Sequence, residues 1–362
     1  MRHPLDLNTA IDWIPAGQRH GFDDLVFWHD KGSVPFAARA AQIDTIVLGP
    51  HAGARFPAEL RPFVAGGLTR RKQYDFSDVI TAPLGRAWAA ADPHVVFIES
   101  PHARVALDPN RAPPRDPQAD LRAFFERLQR QRAGESVSFS GIDAIRPVTF
   151  SGETVLLPPS TEAQWVALTG ALAGVRAFGH DPYRAACDQV IGAVLQARAP
   201  DAPLVVVGLH DTMNTQMRTD GALVVARPPA DRLPTLVNFG NRGDALGNAL
   251  AQPLTLPGAD MRRIADAWAQ AFGIGPSARA AAISLNRPYP GGYEVSHYGA
   301  LLARRGQPGV GAYQVEFLRE ALLGPRATAH LQQPGGDWPA VDAAHLAGIV
   351  SALVEAGRLL RA

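Results

Sequence analysis

The chain has 362 residues, of which 46% are hydrophobic, so it is long and apolar enough to bury a sizeable core in one large domain or two small ones. Its 35 basic and 34 acidic residues leave a formal net charge of +1, so neither nucleic acid nor an acidic surface is expected as a partner. Cys187 is the only cysteine, which excludes an internal disulfide and favours the cytoplasm. The sequence shows no signal peptide and no uninterrupted apolar run near about 18 residues, so no membrane span is expected.

In chain order, the sequence predicts an extension, a body and a second extension. Residues 1–40 are expected to be an irregular N-terminal extension packed on the body, 41–328 to form a single α/β domain, and 329–362 to be a C-terminal helical extension. Apolar runs predict strands near 43–50, 94–100, 104–108, 203–209, 222–226, 234–239, 281–285 and 312–318. Helical patterns lie near 77–91, 121–132, 161–176, 183–197, 261–272 and 341–360, and turn glycines predict hairpins within 136–157. This alternation predicts a central mixed, mostly parallel sheet flanked by helices.

Two histidines stand at the ends of predicted buried strands. One apolar run leads through Gly49 and Pro50 to His51, and another leads to His210. Open α/β sheets bind their ligands at the carboxyl ends of strands. Because zinc hydrolases commonly use two histidines and a carboxylate, the two histidines suggest a pair of metal ligands.

The carboxylate of such a site is left open by the sequence. Glu59 lies at the start of a predicted helix eight residues after His51, and Asp78 lies in the first turn of the next one. Asp75 and Asp211 are further candidates, although Asp211 would point to the opposite side of its strand from His210. Each of these acids could instead cap a helix or interact with its dipole, which is the commoner use.

Two further segments carry charged side chains that could act on a substrate. Arg104 and Arg111 follow one predicted strand, and paired guanidinium groups suit a substrate with free carboxylates, although a surface ion-pair network is an equal interpretation. Asp108 could orient one of the two arginines. Glu316 shares one face of an apolar strand with Gln314, which suggests either a general base for metal-activated water or a partner for a buried arginine.

A loop rich in proline and glycine, residues 286–293, follows another predicted strand. It could form a wall of the site, in which case Asn286, Gly292 and Tyr293 would contact substrate, although a structural turn explains it equally well. His297, just beyond the loop, is a spare candidate acid.

Taken in order, these segments resemble the N-formylglutamate amidohydrolase family over roughly residues 43–325. The resemblance rests on Pro50-His51-Ala52-Gly53 with Pro57 and Glu59, Ser77-Asp78, Arg104, Asp108-Pro109-Asn110-Arg111, Leu209-His210, the loop 286–293, and Gln314-Val315-Glu316. The Asp-x-Asn-Arg element is similar to that of zinc carboxypeptidases and aspartoacylases. The resemblance therefore implies a zinc exopeptidase (phosphorylase/hydrolase-like) fold with one zinc per chain. It places the metal on His51 and His210, with Asp78 slightly favoured over Glu59 as the third ligand.

The resemblance also implies roles in substrate binding and catalysis. Asn110 and Arg111 would hold a substrate carboxylate, and Glu316 would be the general base, with Arg104 beside it in the catalytic group. The expected activity is zinc-dependent cleavage of an N-formyl or N-acyl amino acid. The alternative is a differently specific or non-catalytic relative that binds a small carboxylate ligand. Metal analysis and a hydrolysis screen would discriminate the two, and the sequence predicts no oligomeric state.

Overall fold

The computed structural model describes residues 10–307 and 309–362. The strands are β1 Trp13–Ile14, β2 Val26–Trp28, β3 Thr45–Gly49, β4 Phe56–Pro57, β5 Val95–Glu99, β6 Leu204–Thr212, β7 Thr215–Met217, β8 Leu223–Ala226, β9 Val237–Gly240, β10 Ile283–Leu285 and β11 Val310–Leu318. The α-helices are α1 Phe22–Leu25, α2 Phe36–Arg39, α3 Arg70–Asp75, α4 Thr81–Ala91, α5 Pro117–Arg132, α6 Glu162–Val175, α7 Asp181–Ala197, α8 Gly258–Ala271, α9 Arg279–Ala282, α10 Tyr293–Ala303, α11 Arg319–Leu331 and α12 Ala343–Arg361. Two 3-10 helices, Ala58–Phe63 and Pro229–Asp231, and a π-helical turn, Arg176–His180, complete the regular structure of these described residues.

Seven strands form the central sheet, in the order β10-β9-β11-β6-β3-β5-β2. The inner strands β5, β3, β6 and β11 run parallel, whereas β2 is antiparallel to β5 and β9 is antiparallel to β11. The predicted fold class, one α/β domain with a mixed, mostly parallel sheet, is confirmed. Because parallel neighbours place their carboxyl ends at one edge, residues that follow β3, β6 and β11 meet there.

Both faces of the sheet are buried, which explains why its inner strands are apolar over most of their length. Successive residues of β3 illustrate this, since Val47 packs with α4, α8, α11 and α12, while Ile46 and Leu48 pack with α7 and α10 on the other face. A third apolar cluster joins α5 and α6 to the loop after β5. Most polar side chains of the inner strands lie near the carboxyl ends of those strands, as in β6 and β11.

Three local predictions differ from the structure. The segment 104–108 forms turns rather than a strand, because Ala106 N–H bonds Ala103 O within the segment while Val105 packs in the third cluster. The helix predicted from residue 77 begins at Thr81, which leaves Pro83 in its first turn, where a missing N–H breaks no bond. The hairpins predicted within 136–157 reduce to one isolated antiparallel bridge inside that segment.

The described part of the N-terminal segment, residues 10–40, contributes β2 to the edge of the sheet, while β1 pairs with β4. At the other end, α12 packs against α8 and α4 through a buried face that includes Leu353 and Ala356. Within the described ranges, α12 is the one helix long and apolar enough to cross a bilayer on length and composition alone, with a mean hydropathy of 1.4 over its best window. A core helix passes the same test. The division at residues 40 and 328 stays a prediction.

Candidate active site and metal centre

A cavity of about 290 Å³ opens at the carboxyl edge of the central strands. His51 follows β3 through the turn at Gly49, and His210 and Glu316 occupy facing positions near the ends of β6 and β11. All three side chains line the cavity and are buried. The parallel topology thus places together residues that lie far apart in the chain.

The two histidines and Asp78 form a compact group on the floor of this cavity. Nδ1 of His51 lies 3.1 Å from Asp78 Oδ2 and 3.1 Å from Nδ1 of His210. The latter nitrogen lies 3.0 Å from the same carboxylate oxygen. Three potential ligand atoms therefore form a nearly equilateral triangle.

The donor set of this triangle suits a divalent transition metal. Two imidazole nitrogens and one carboxylate oxygen are the ligand types that zinc takes in hydrolases. Zinc bonds of about 2.0–2.1 Å in tetrahedral geometry place neighbouring ligand atoms about 3.3 Å apart, close to the observed spacing. His51, Asp78 and His210 therefore fit a metal ion without rearrangement of the fold.

Asp78 is held in place by the chain around it. It lies in the turn between α3 and α4, where its N–H donates to His51 O over 2.9 Å. Its carboxylate faces the histidines instead of capping α4, and Arg319 lies 3.9 Å from its second oxygen. Burial raises the pKa of Asp78, but the neighbouring His51 and His210 lower it by more, so this carboxylate stays ionised.

The other candidate acids have different partners. Glu59, on the first 3-10 helix, accepts a hydrogen bond of 2.6 Å from Gly17 N–H and does not line the cavity. Asp211 and Asp75 both line the cavity, but Arg319 forms an ion pair with Asp211 and lies 3.6 Å from Asp75. The structure thus places Asp78, and not Glu59, beside the histidines.

The outer nitrogen of His51 is also bound by a carboxylate. Its Nε2 lies 2.7 Å from Asp108 Oδ1, and Arg104 donates from Nε and Nη2 to the other oxygen of Asp108 over 3.1 and 2.7 Å. A carboxylate behind a metal-binding histidine fixes the ring and increases its basicity. Arg104 therefore lines the cavity while acting on His51 through Asp108, a connection that sequence reasoning did not identify.

Glu316 lies opposite His210 and is 7% exposed. Gln314 donates to its Oε2 over 2.8 Å, and among the described residues no arginine forms an ion pair with it. Burial raises the pKa of Glu316 to about 7, with His210 opposing and Asp78 adding to the shift. A carboxyl group with this pKa can both accept and release a proton near neutral pH.

Two of the arginines that line the cavity, Arg111 and Arg227, differ in their partners. Arg111 donates from Nε to Asp143 over 2.8 Å, so a carboxylate already neutralises it. Arg227, directly after β8, was not identified from the sequence. It donates to the hydroxyls of Tyr289 and Thr212 over 3.1 and 3.0 Å, and within the described ranges it forms no ion pair. Its Nε is buried without a hydrogen-bond partner.

The remaining predicted contacts divide into two sets. Asn110 and Gly292 line the cavity, with Asn110 Nδ2 lying 3.3 Å from His210 Nε2. Asn286 lies outside the cavity, where its side chain bonds the loop at Asn241. Tyr293 also lies outside it and stacks on the exposed His297. The loop 286–293 therefore reaches the site through residues 289–292.

Comparison with known proteins gives one family match and two similar solved structures. The sequence model of the N-formylglutamate amidohydrolases matches residues 43–323. Among solved structures, an N-formylglutamate amidohydrolase from Ralstonia eutropha JMP134 is similar, at 13% identity and a TM-score of 0.49 over 92% of this chain and 96% of that chain. A gene product from Agrobacterium tumefaciens is similar at 17% identity and a TM-score of 0.48, over 89% and 92% of the two chains. No curated protein matches the sequence.

The family match covers most of the chain and places it in the class of hydrolases that act on the C–N bond of a small amide. More particularly, the chain belongs to the N-formylglutamate amidohydrolase family. The family resemblance predicted from the sequence is thereby confirmed.

Proposed function

We propose that the protein is a zinc-dependent amidohydrolase that cleaves an N-formyl or N-acyl amino acid, with one zinc per chain. The observation that carries the proposal is the triangle of His51, Asp78 and His210, with edges of 3.0 to 3.1 Å, in the same cavity as Glu316 on the strand beside His210. These three residues would hold the metal. When bound, zinc would supply Lewis-acid polarisation of the amide carbonyl and acidify water.

The residues of the chain account for the other requirements of the reaction. Glu316 takes a proton from the attacking water and passes it to the nitrogen of the leaving amine. Asp108 holds His51 in one orientation, and Gln314 holds Glu316. Arg111 and Arg227 provide positive charge on the wall of the cavity, which suits a substrate that bears carboxylates. We place the reaction in the cytoplasm, as the single, buried and free cysteine suggests.

The test combines metal analysis with a hydrolysis screen. Purified protein should contain about one zinc per chain, and it should hydrolyse at least one member of a panel of N-formyl and N-acetyl amino acids. Chelation should abolish turnover, and added zinc should restore it. Hydrolysis of the panel by protein from which all metal has been removed would contradict the proposal. Metal-loaded protein that binds the panel without turnover would support the alternative of a non-catalytic relative.

A further inference from the structure

A second cavity, which we call the distal cavity, lies at the opposite edge of the same sheet. Its volume is about 450 Å³, and it begins where β3 and β6 begin, at Thr45 and Leu204. Helices α4, α8 and α12 form its other walls. The catalytic groups lie at the carboxyl ends of the same strands, so the distal cavity shares no lining residue with the active-site cavity.

The interior of the distal cavity is aromatic and aliphatic. Trp88 of α4 and Trp268 of α8 meet edge to face with ring centroids 6.5 Å apart, and Leu353 and Leu360 of α12 also line the cavity. Trp88 is 4% exposed, yet its indole N–H has no hydrogen-bond partner. Pockets of this size and lining bind small apolar molecules, with a few polar groups that fix their orientation.

The mouth of the distal cavity carries an excess of positive charge. Arg361 is neutralised, since it lies 3.5 Å from Asp44 and 2.8 Å from Asp92. Arg198 and Arg263 have no acidic partner among the described residues, because each donates to main-chain carbonyl groups alone. Uncompensated guanidinium groups beside an apolar cavity favour an anionic head group over a neutral or cationic one.

We propose that the distal cavity is a second binding site, for a small apolar monocarboxylate of the aryl- or alkylcarboxylic class. The apolar body lies against Trp88 and Trp268, and the carboxylate is bound by Arg263 at the mouth. This site is separate from amide hydrolysis and stands whether or not the proposed zinc chemistry does.

The experiment is calorimetric titration of the full-length protein with 3-phenylpropionate, and with the corresponding primary amide as the neutral probe. The carboxylate should bind, and the amide should bind at least about tenfold more weakly, since a charge-assisted hydrogen bond is lost. Arg263→Ala should weaken carboxylate binding by about tenfold. Arg262→Ala is the matched control, because the neighbouring Arg262 bonds Leu246 and Asn248 outside the distal cavity, and it should leave binding unchanged.

A second variant tests the location independently of charge. Leu360→Trp, in the last turn of α12, should fill the distal cavity and abolish binding while the melting temperature stays near that of the unmodified protein. Arg111→Ala should not affect binding, because Arg111 lines the active-site cavity. Equal binding of acid and amide, unchanged binding in Arg263→Ala, or loss of binding in Arg111→Ala would each overturn the proposal.

Discussion

The described residues include two groups of neighbouring histidines that are wholly or partly buried, and the groups differ in the carboxylates around them. The rings of His51 and His210 have centroids 4.8 Å apart and contact the buried Asp78. In the second group, the rings of His20 and His102 have centroids 5.5 Å apart, with His180 nearby. Both ring nitrogens of His102 and one each of His20 and His180 have no hydrogen-bond partner.

The two groups show that burial alone does not produce a candidate metal site. Burial and Arg104 lower the pKa of His51, but Asp108 and Asp78 raise it by more. Burial lowers the pKa of His102 to about 3 and that of His180 to about 4, since carboxylates do not offset it to the same extent. Buried carboxylates supply both ligand oxygens and compensating charge. Among the described residues, the acids beside the second group are the exposed Asp181 and Asp24.

Substitution of one histidine from each group tests this contrast most directly. His51→Ala should reduce both zinc content and hydrolysis to background, because two remaining ligands rarely retain the metal. His210→Ala should do the same. His102→Leu is the matched control and should keep full zinc content by elemental analysis. Full metal occupancy in both alanine variants would reject the site.

Substitution of Glu316 tests whether the cavity that holds His51, His210 and Asp78 is catalytic as well as metal-binding. Glu316→Gln keeps the size of the side chain, so fold and metal should survive, while turnover of an N-acyl amino acid should fall by about 10²–10⁴-fold. Metal content, melting temperature and kcat are measured together, with Glu320→Gln outside the cavity as the control. A metal-loaded variant with near-normal turnover would exclude Glu316 as the base, and loss of metal would make it a ligand.

Two arginines of the active-site cavity, Arg227 and Arg111, test whether positive charge beside the histidines binds the substrate. Arg227→Ala should weaken substrate binding by about tenfold to a hundredfold, since it removes a charge-assisted bond of roughly 1.5–3 kcal/mol. Arg111→Ala should also weaken substrate binding within that range. Its effect should be smaller than that of Arg227→Ala, because Asp143 already neutralises Arg111. Binding constants and melting temperatures are compared with those of Arg122→Ala, a surface control. If either variant showed a large fall in melting temperature with intact binding, the substituted arginine would have a purely structural role.

The smallest expected effect concerns the second histidine group, whose burial should lower the free energy of unfolding in acid. The folded pKa of His102, about 3, lies below the unfolded value of about 6.5, so the unfolded state binds more protons as pH falls below 6.5. At pH 5 this destabilises the fold by on the order of 2 kcal/mol for this histidine. Chelator-treated His102→Leu should therefore lose less stability between pH 7 and 5 than the unmodified protein does. Denaturant unfolding at both pH values measures this, and equal losses would contradict it.

Local patterns in the sequence determined much of the fold. The apolar runs that became β3, β6 and β11 are recognisable because strands buried on both faces need apolar residues over most of their length. The same runs located His51 and His210, because strand ends are visible in sequence and parallel strands share one carboxyl edge. The segment 104–108 misled the same reasoning, since its apolar residues are buried in turns.

Only the tertiary structure decided which groups meet. Asp78 and Glu59 are both acids near the start of predicted helices, and only the folded chain shows that Asp78 faces the histidines while Glu59 bonds Gly17. Arg227 lies in a segment without any recognisable motif, and it reaches the cavity because β7 and β8 form a hairpin there. Periodicity records which side of one element is buried, but side-chain direction and long-range partners depend on how elements pack, and that packing leaves no local pattern in the sequence.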